Sequence, residues 1–159
     1  MAEELKEGKT APDFILPSTG GVPVRLRDFQ GKKNIILYFY PKDNTPGCTQ
    51  EACDFRDSIQ KFKKLDAEVL GVSFDTLDSH EKFIGKFKLP FALLSDAEKK
   101  IAQKYGVYKE KSLYGRKFMG IERSTFVIDK NLKIRKVYRK VRVEDHIPDV
   151  LGILKQLEA

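Results

Sequence analysis

The segment NIILYFY, residues 34–40, constrains the fold of this chain more than any other. From Ile35 onward every side chain in it is apolar or aromatic, whereas a strand with one face in water alternates polar and apolar residues. A strand with an unbroken apolar pattern is covered on both faces, as in a sheet that lies between layers of helices. The segment therefore predicts an α/β protein built around a central sheet.

The rest of the chain alternates between strand and helix patterns. Ala52, Phe55, Ile59 and Phe62 recur at helical spacing, which predicts one helix over residues 46–65. Further strands are predicted at residues 67–74, 91–94, 124–128 and 134–141, further helices at 80–88, 96–105 and 143–157, and a loop at 106–122. Short apolar runs around a Gly-Gly turn predict an N-terminal hairpin. This order is compatible with an elaborated thioredoxin-like sheet.

The composition indicates a globular protein and bears on its partners. Of the 159 residues, 41% are hydrophobic and 33% are charged, which predicts a single domain over residues 1–159. No apolar stretch is long enough to cross a bilayer, and the first residues lack the apolar core of a secretory signal. We therefore expect a cytoplasmic location, where thiols are kept reduced, and no membrane partner.

The net charge of +7 leaves a nucleic-acid-binding domain as an alternative. The basic residues are, however, interleaved with acidic ones along the chain. The densest basic run, residues 133–142, alternates with apolar residues as the solvated face of an edge strand would. We therefore predict no nucleic-acid partner.

Both cysteines of the chain follow the central strand, at positions 48 and 53. Pro41 ends that strand because proline cannot donate to a central ladder. Thr45 and Pro46 are favoured at the N-cap and at the first position of a helix, so Cys48 falls in the first helical turn. Backbone N–H groups are unpaired there and the helix dipole is positive, so the position favours a thiolate over a thiol. Cys48 is therefore predicted to be reactive.

Two other interpretations of the cysteines remain open. Free cysteines are often small apolar core residues, which suits Cys53 beside the helical stripe better than Cys48 behind a polar turn. A zinc site needs four ligands, and the only histidines, His80 and His146, are far apart in sequence; we predict no metal.

The spacing of the two cysteines limits when they can bond. In an intact helix, residues five apart have Cα atoms roughly 8.6 Å apart, whereas a disulfide needs roughly 4.4–6.8 Å. Cys48 and Cys53 therefore either never bond or bond only after the first helical turns unwind.

At this point the sequence resembles a known family. Pro41-x-x-x-Thr45-x-x-Cys48 matches the active-site motif of the peroxiredoxins. The fuller run FYPKDNTPGCTQEACDFRD is similar to the subclass of bacterioferritin comigratory proteins and peroxiredoxin Q, which also has a second cysteine five residues after the first. The similarity extends to APDFILPS, YGRKFMGIERSTFVIDK and VRVEDHIPDVL, and so covers nearly the whole chain. It implies a thioredoxin-like α/β fold with an N-terminal β-hairpin extension and a central mixed sheet flanked by helices.

The resemblance also implies a role for each matching residue. Cys48 corresponds to the peroxidatic cysteine, which attacks a peroxide oxygen and becomes a sulfenic acid. Cys53 corresponds to the resolving cysteine, which condenses with that sulfenic acid to an intramolecular disulfide. Thr45 corresponds to the hydroxyl that holds the peroxide, Pro41 to the ring that shields the pocket from water, and Arg123 to the arginine beside the thiolate. Attack on an O–O bond puts negative charge on the leaving oxygen, which helix amides, a hydroxyl and a guanidinium stabilise.

The activity implied is that of a thiol-specific peroxidase. It would reduce hydrogen peroxide and organic hydroperoxides, would be recycled by thioredoxin or a similar dithiol reductant, and would use no metal, haem or flavin cofactor. A non-enzymatic redox sensor or holdase with the same cysteines is the alternative. We expect a monomer, because an intramolecular disulfide needs no partner subunit.

Four further residues lie near these motifs in the sequence. Glu51 is expected to be a solvated carboxylate outside it. Tyr114, Phe118 and Met119 are expected to take part in ordinary packing or, alternatively, to line a pocket for organic peroxides.

Overall fold

The computed structural model describes residues 5–158. An N-terminal hairpin of β1 (Ile15–Leu16) and β2 (Val24–Arg25) leads into a 3₁₀ helix, Leu26–Phe29. The elements that follow are β3 (Asn34–Phe39), α1 (Pro46–Asp57), α2 (Ile59–Lys64), β4 (Ala67–Ser73), α3 (Leu77–Phe87), β5 (Ala92–Ser95), α4 (Lys100–Lys104), β6 (Tyr108–Leu113), β7 (Arg116–Ile121), β8 (Ser124–Ile128), β9 (Ile134–Arg139) and α5 (His146–Leu157).

Within residues 5–158, five strands form a central mixed sheet in the order β5-β4-β3-β8-β9. Strand β3 lies at its centre, parallel to β4 and antiparallel to β8, and every one of its residues is buried. Strand β9 lies at an edge, and its residues after Ile134 are at least partly exposed. The predicted mixed sheet flanked by helices is therefore confirmed, as is the N-terminal hairpin. None of the helices in the described part of the chain is long and apolar enough to cross a membrane.

Two hydrophobic cores lie on opposite faces of the sheet. Odd-numbered side chains of β3 pack with α4 and the N-terminal segment, and even-numbered ones pack with α1, α2, α3 and α5. Tyr38 stacks on Phe55 of α1, with ring centroids 4.6 Å apart. Gly71 in β4 makes room for the Tyr38 ring, because a Cβ at that position would lie 2.9 Å from the ring carbon Cζ. Helix α1 is thus seated on β3 by aromatic packing.

All four predicted helices differ from the structure in their bounds; α3 begins three residues before its predicted start and α5 three residues after, and the other two differ more. The helix predicted over residues 46–65 is divided at Ser58, whose backbone angles are not helical and which separates α1 from α2. The helix predicted from residue 96 begins only at Lys100, because the Asp96 carboxylate accepts the amides of Ile101 and Ala102. Serine and aspartate compete for backbone hydrogen bonds in this way and favour helix ends over helix interiors.

The prediction of a loop over residues 106–122 is wrong, because β6 and β7 form a hairpin there. Most of its residues are at least partly exposed, so no buried face imposes an alternation of apolar and polar residues. The turn contains Tyr114 and Gly115, both with positive φ. Tyr114 is 97% exposed, Met119 50% and Phe118 44%, so ordinary packing of these side chains is also wrong.

His146 is buried where α5 begins, on the helix-covered face of the sheet. Its Nε2 lies 2.9 Å from Thr125 Oγ1, and its ring meets those of Phe55 and Tyr138 edge to face. Burial lowers the pKa of His146 from 6.5 to about 4, a shift that Asp149 opposes and Arg123 assists. The folded protein therefore keeps this ring neutral at a pH where the unfolded chain protonates it.

This difference predicts an acid-dependent loss of stability. As pH falls from 6.5 to about 4, His146 becomes protonated in the unfolded state but stays neutral in the folded state. The free energy of unfolding therefore drops by roughly 3 kcal/mol. The measurement is the free energy of unfolding of wild type minus that of His146→Gln, followed from pH 7 to pH 4 under reducing conditions. Subtraction cancels groups common to both proteins, including Glu51, whose raised pKa acts in the opposite direction. A difference that does not change with pH contradicts the prediction.

Candidate active site

Helix α1 begins directly beyond the C-terminal end of β3. Thr45 occupies the N-cap position with an extended backbone, and Pro46 is the first helical residue, as the sequence predicts. The Thr45 side chain does not cap the helix; its hydroxyl donates instead to the Lys42 carbonyl at 2.8 Å. The amides of the first helical turn have no acceptor within a helix, so those of Gly47 and Cys48 are available to a ligand. Pro41 lies in the same loop and is partly buried.

Arg123 contacts the Cys48 sulfur. Its Nη2 donates to Cys48 Sγ at 3.3 Å, across a separation of 75 positions in the chain. Burial opposes the charge on Arg123, but Glu51 and Cys48 outweigh it, and the pKa of the guanidinium lies above its usual value. A permanently charged donor therefore faces the sulfur.

Sheet pairing explains how Arg123 reaches helix α1. The residue immediately precedes β8, whose first residue, Ser124, pairs with Phe39 at the end of β3. The start of β8 and the start of α1 therefore both lie beside the C-terminal end of β3. Gly47 leaves space for the guanidinium, since a Cβ there would lie 3.1 Å from Nη2. A larger side chain at position 47 would press directly on the donor to Cys48.

Cys48 is buried, although the sequence made a core position less suitable for it than for Cys53. The residue is 2% exposed and belongs to the core between the sheet and the helices. The polar turn before it is at the surface, but the helix turns Cys48 inward beside Ala52 and the β3 rings. Burial alone would suit an inert structural cysteine. The contact with a partly buried, charged guanidinium distinguishes Cys48 from such a residue.

Glu51 is part of the site, contrary to the sequence-based expectation. It is 1% exposed, and its Oε1 accepts from Arg123 Nη1 at 2.7 Å. Burial raises its pKa to about 7, although Arg123 draws it down. Its other oxygen, Oε2, has no hydrogen-bond partner. The signal that identifies Glu51 is its spacing: residues 48 and 51 lie on one helical face, so a carboxylate there points the same way as the sulfur.

Cys53 lies further along the same helix and is partly exposed. Both cysteines are free thiols, and the helix between them is intact. Cys53 is therefore held away from the Cys48–Arg123 contact in this form of the protein. The structure brings Cys48 and Arg123 into contact and leaves Cys53 apart.

One group among residues 5–158 has the residue types of a metal site: Asp43, Asp75 and His80, with candidate ligand atoms all within 4.8 Å of one another. Neither cysteine belongs to it. Its donors and acceptors already bond to one another and to neighbouring groups.

In this protein a mixed β-sheet flanked by helices presents a cysteine at the start of a helix, in contact with an arginine. This arrangement is that of a thioredoxin-like thiol oxidoreductase. Comparison with known proteins narrows this class. The AhpC/TSA family model matches residues 8–137. The chain is 52% identical over 153 residues to peroxiredoxin Bcp of Bacillus subtilis, covering 96% of this chain and 97% of the relative. The chain therefore belongs to the AhpC/TSA family, among the peroxiredoxins of the Bcp and Q group, and it is a peroxidase.

Solved structures agree with this assignment. PrxQ of Xylella fastidiosa superposes with a TM-score of 0.92 at 35% identity, covering 99% of this chain and 100% of that one. A bacterioferritin comigratory protein of Xanthomonas campestris, studied for its alkyl peroxide reduction activity in a trapped intermediate/ligand complex, gives a TM-score of 0.86 at 38% identity over 92% of both chains. The thioredoxin-like fold, the family and the enzymatic class predicted from sequence are thus confirmed.

Proposed function

We propose that this peroxidase reduces hydrogen peroxide and alkyl hydroperoxides at Cys48 and resolves through Cys53, with a thioredoxin-type dithiol as its reductant. The observation that carries the proposal is the 3.3 Å contact between Arg123 and the Cys48 sulfur at the start of α1. The alkyl peroxide activity studied in the Xanthomonas campestris relative supports the inclusion of organic substrates.

In the first step the Cys48 thiolate attacks one peroxide oxygen. The O–O bond breaks, the sulfur becomes a sulfenic acid, and the other oxygen leaves as hydroxide or alkoxide and takes up a proton to form water or an alcohol. Arg123 and the free amides of the first helical turn stabilise the charge on that oxygen. The Thr45 hydroxyl donates a hydrogen bond to the Lys42 carbonyl, so its oxygen remains able to accept one from the peroxide O–H. Pro41, in the same loop, limits access of water.

Glu51 supports this step without touching the substrate. Its 2.7 Å bond to Nη1 holds one edge of the guanidinium and leaves Nη2 directed at the sulfur. With one Nη bonded to Glu51 and the other to the sulfur, the plane of the guanidinium is fixed, which a flexible side chain would not hold by itself. Glu51 therefore acts as a positioning residue for Arg123.

In the second step the Cys53 thiol attacks the sulfenic acid, forming a disulfide and releasing water. Since an intact α1 holds the two residues apart, the first turns of the helix unwind before this step. Gly47 and the polar turn before it lower the cost of unwinding. An external dithiol then reduces the disulfide and α1 forms again. The intramolecular pair requires no second subunit, and we propose a monomer.

Replacement of Cys53 tests the division of roles between the cysteines. Cys53→Ser should consume about one equivalent of peroxide and then stop, because the sulfenic acid at Cys48 has no thiol to condense with. Mass spectrometry with a dimedone trap measures the adduct on Cys48. Peptide mapping of peroxide-treated wild type should show a 48–53 linkage. Sustained turnover by Cys53→Ser with a dithiol reductant would contradict the resolving role of Cys53.

Catalytic turnover distinguishes the proposed enzyme from a redox sensor or holdase with the same cysteines. A sensor consumes one equivalent of peroxide per protein, whereas the proposed enzyme consumes a large excess when a thioredoxin system is supplied. If peroxide were consumed catalytically with monothiols alone, the peroxidase activity would stand and the proposed dithiol reductant would be wrong.

A further inference from the structure

A buried cluster of polar side chains joins the loop at residues 41–45 to the rest of the fold. We call it the anchor cluster; it comprises Tyr40, Asp43, Ser73, Asp75, Ser79 and His80. None of these residues has a role in the two chemical steps. The loop that contains Asp43 nevertheless carries Pro41 and Thr45 and leads directly into the helix of Cys48.

Asp43 is the member of the cluster that lies in the loop. Its side chain is 3% exposed, and that of His80 is fully buried. Oδ1 accepts from the Tyr40 hydroxyl at 2.5 Å; Oδ2 accepts from the Ser79 hydroxyl at 2.8 Å and lies 2.7 Å from His80 Nδ1. Three polar groups thus converge on one buried carboxylate, an arrangement that offsets the cost of burying it.

The backbone of the loop is held as well. The Asp43 amide donates to Asp75 Oδ2 at 2.8 Å, and the same oxygen accepts from Ser73, the last residue of β4, at 2.6 Å. On the far side of its ring, His80 Nε2 donates to the Leu94 carbonyl of β5 at 2.9 Å. The loop is therefore bonded to the end of β4 through Asp75 and to β5 through His80 of helix α3.

Helix α1 is attached differently. Beyond residue 43 the chain passes through Asn44, whose φ of +61° is left-handed, and then through Thr45 and Pro46 into the helix. Its first turn is held to the sheet by the contacts of Arg123 with Cys48 and Glu51. Oxidation of Cys48 converts its thiolate to a neutral sulfenic acid and so weakens one of these contacts. Asp43 and its partners do not change charge in that reaction.

We propose that the anchor cluster keeps residues 41–45 in their peroxide-binding shape while α1 unwinds and forms again, so that Asp43 and His80 are positioning residues of the peroxidase. This inference rests on the proposed function. It places the bend between the fixed and the moving parts of the site after Thr45, whose hydroxyl is bonded to the Lys42 carbonyl within the loop, at the point where helix α1 begins. Helix α1 then folds back onto a loop that has not moved, and Thr45 is already in place for the next peroxide.

The two histidines of the chain provide a matched test. Both histidines have buried imidazole rings. His80→Gln removes the ring in the anchor cluster. His146→Gln removes a ring that lies outside both the anchor cluster and the Cys48–Arg123 contact. Rapid-quench mass spectrometry follows sulfenic acid formation and disulfide formation separately. His80→Gln should slow Cys48 oxidation about tenfold, because the loop is misplaced, and leave disulfide formation within about twofold of wild type. His146→Gln should leave both rates within about twofold of wild type.

Asp43→Asn, which keeps the shape of the side chain and loses its charge, should slow the same step as His80→Gln. A folded His80→Gln protein with wild-type oxidation kinetics would overturn the inference, as would equal slowing by His146→Gln at matched thermal stability. If His80→Gln fails to fold, Ser79→Ala removes a single donor to Asp43 at a partly exposed position. A wild-type oxidation rate in Ser79→Ala and Asp43→Asn together would overturn the inference. Each of these outcomes leaves the Cys48 assignment standing, since that assignment fails only in the Cys48→Ser experiment.

Discussion

Cys48→Ser is expected to lose peroxide reduction by more than about 10⁴-fold, the scale seen when a covalent nucleophile is removed. Serine is close to cysteine in size, so the buried position beside Ala52 remains filled and the fold is retained. Its hydroxyl stays protonated at neutral pH and does not form the equivalent of a sulfenic acid. The measurement is peroxide consumption with a saturating thioredoxin system, or with dithiothreitol as the reductant.

The matched control for this variant is Cys53→Ser, which removes the other thiol from the same helix. It should still react once with peroxide, whereas Cys48→Ser should not react at all. Retention of turnover by Cys48→Ser would refute the assignment of the peroxidatic cysteine, and with it the proposed mechanism.

Arg123→Ala should lower kcat/KM for peroxide by about 10²–10³-fold, the usual cost of removing a fixed donor from a developing oxyanion. The variant loses the 3.3 Å donor to Cys48 and also leaves the buried Glu51 without its cation. Both the thiolate and the leaving oxygen are then less stabilised. Because Glu51 is buried, the variant should also lose thermal stability, as expected when one partner of a buried ion pair is removed.

A double variant separates these two effects. Arg123→Ala with Glu51→Gln restores a neutral core and should recover much of the lost stability, whereas kcat/KM should stay low. Arg135→Ala is the surface control, because Arg135 lies on the edge strand β9 and forms an ion pair with Asp129. The kcat/KM of this variant should match that of wild type. An Arg123→Ala enzyme with wild-type kcat/KM would show that the contact with Cys48 does not contribute to the reaction.

Local sequence patterns were sufficient for the elements with a buried face. The unbroken apolar run of β3 and the stripe on α1 each reflect a buried surface that imposes a periodicity on the residues. The β6–β7 hairpin has no such surface over most of its length and so leaves no periodic signal. The helix ends at Ser58 and near Asp96 differ from the prediction, because competition between side-chain and helical hydrogen bonds depends on neighbours that the local pattern does not specify.

Local preferences are enough to place Cys48 in the first turn of a helix, since Thr45, Pro46 and the preceding strand are adjacent in the chain. Helix geometry alone also excludes a disulfide within an intact α1, because it sets the distance between the two cysteines. The surroundings of the sulfur, in contrast, depend on how distant elements pack. The pairing of β8 with β3 brings Arg123 to helix α1, the burial of that helix turns Glu51 into a partner of the arginine, and the packing of α3 places His80 under the loop. These contacts join residues that are distant in the chain, and such contacts depend on the assembled sheet rather than on local preference.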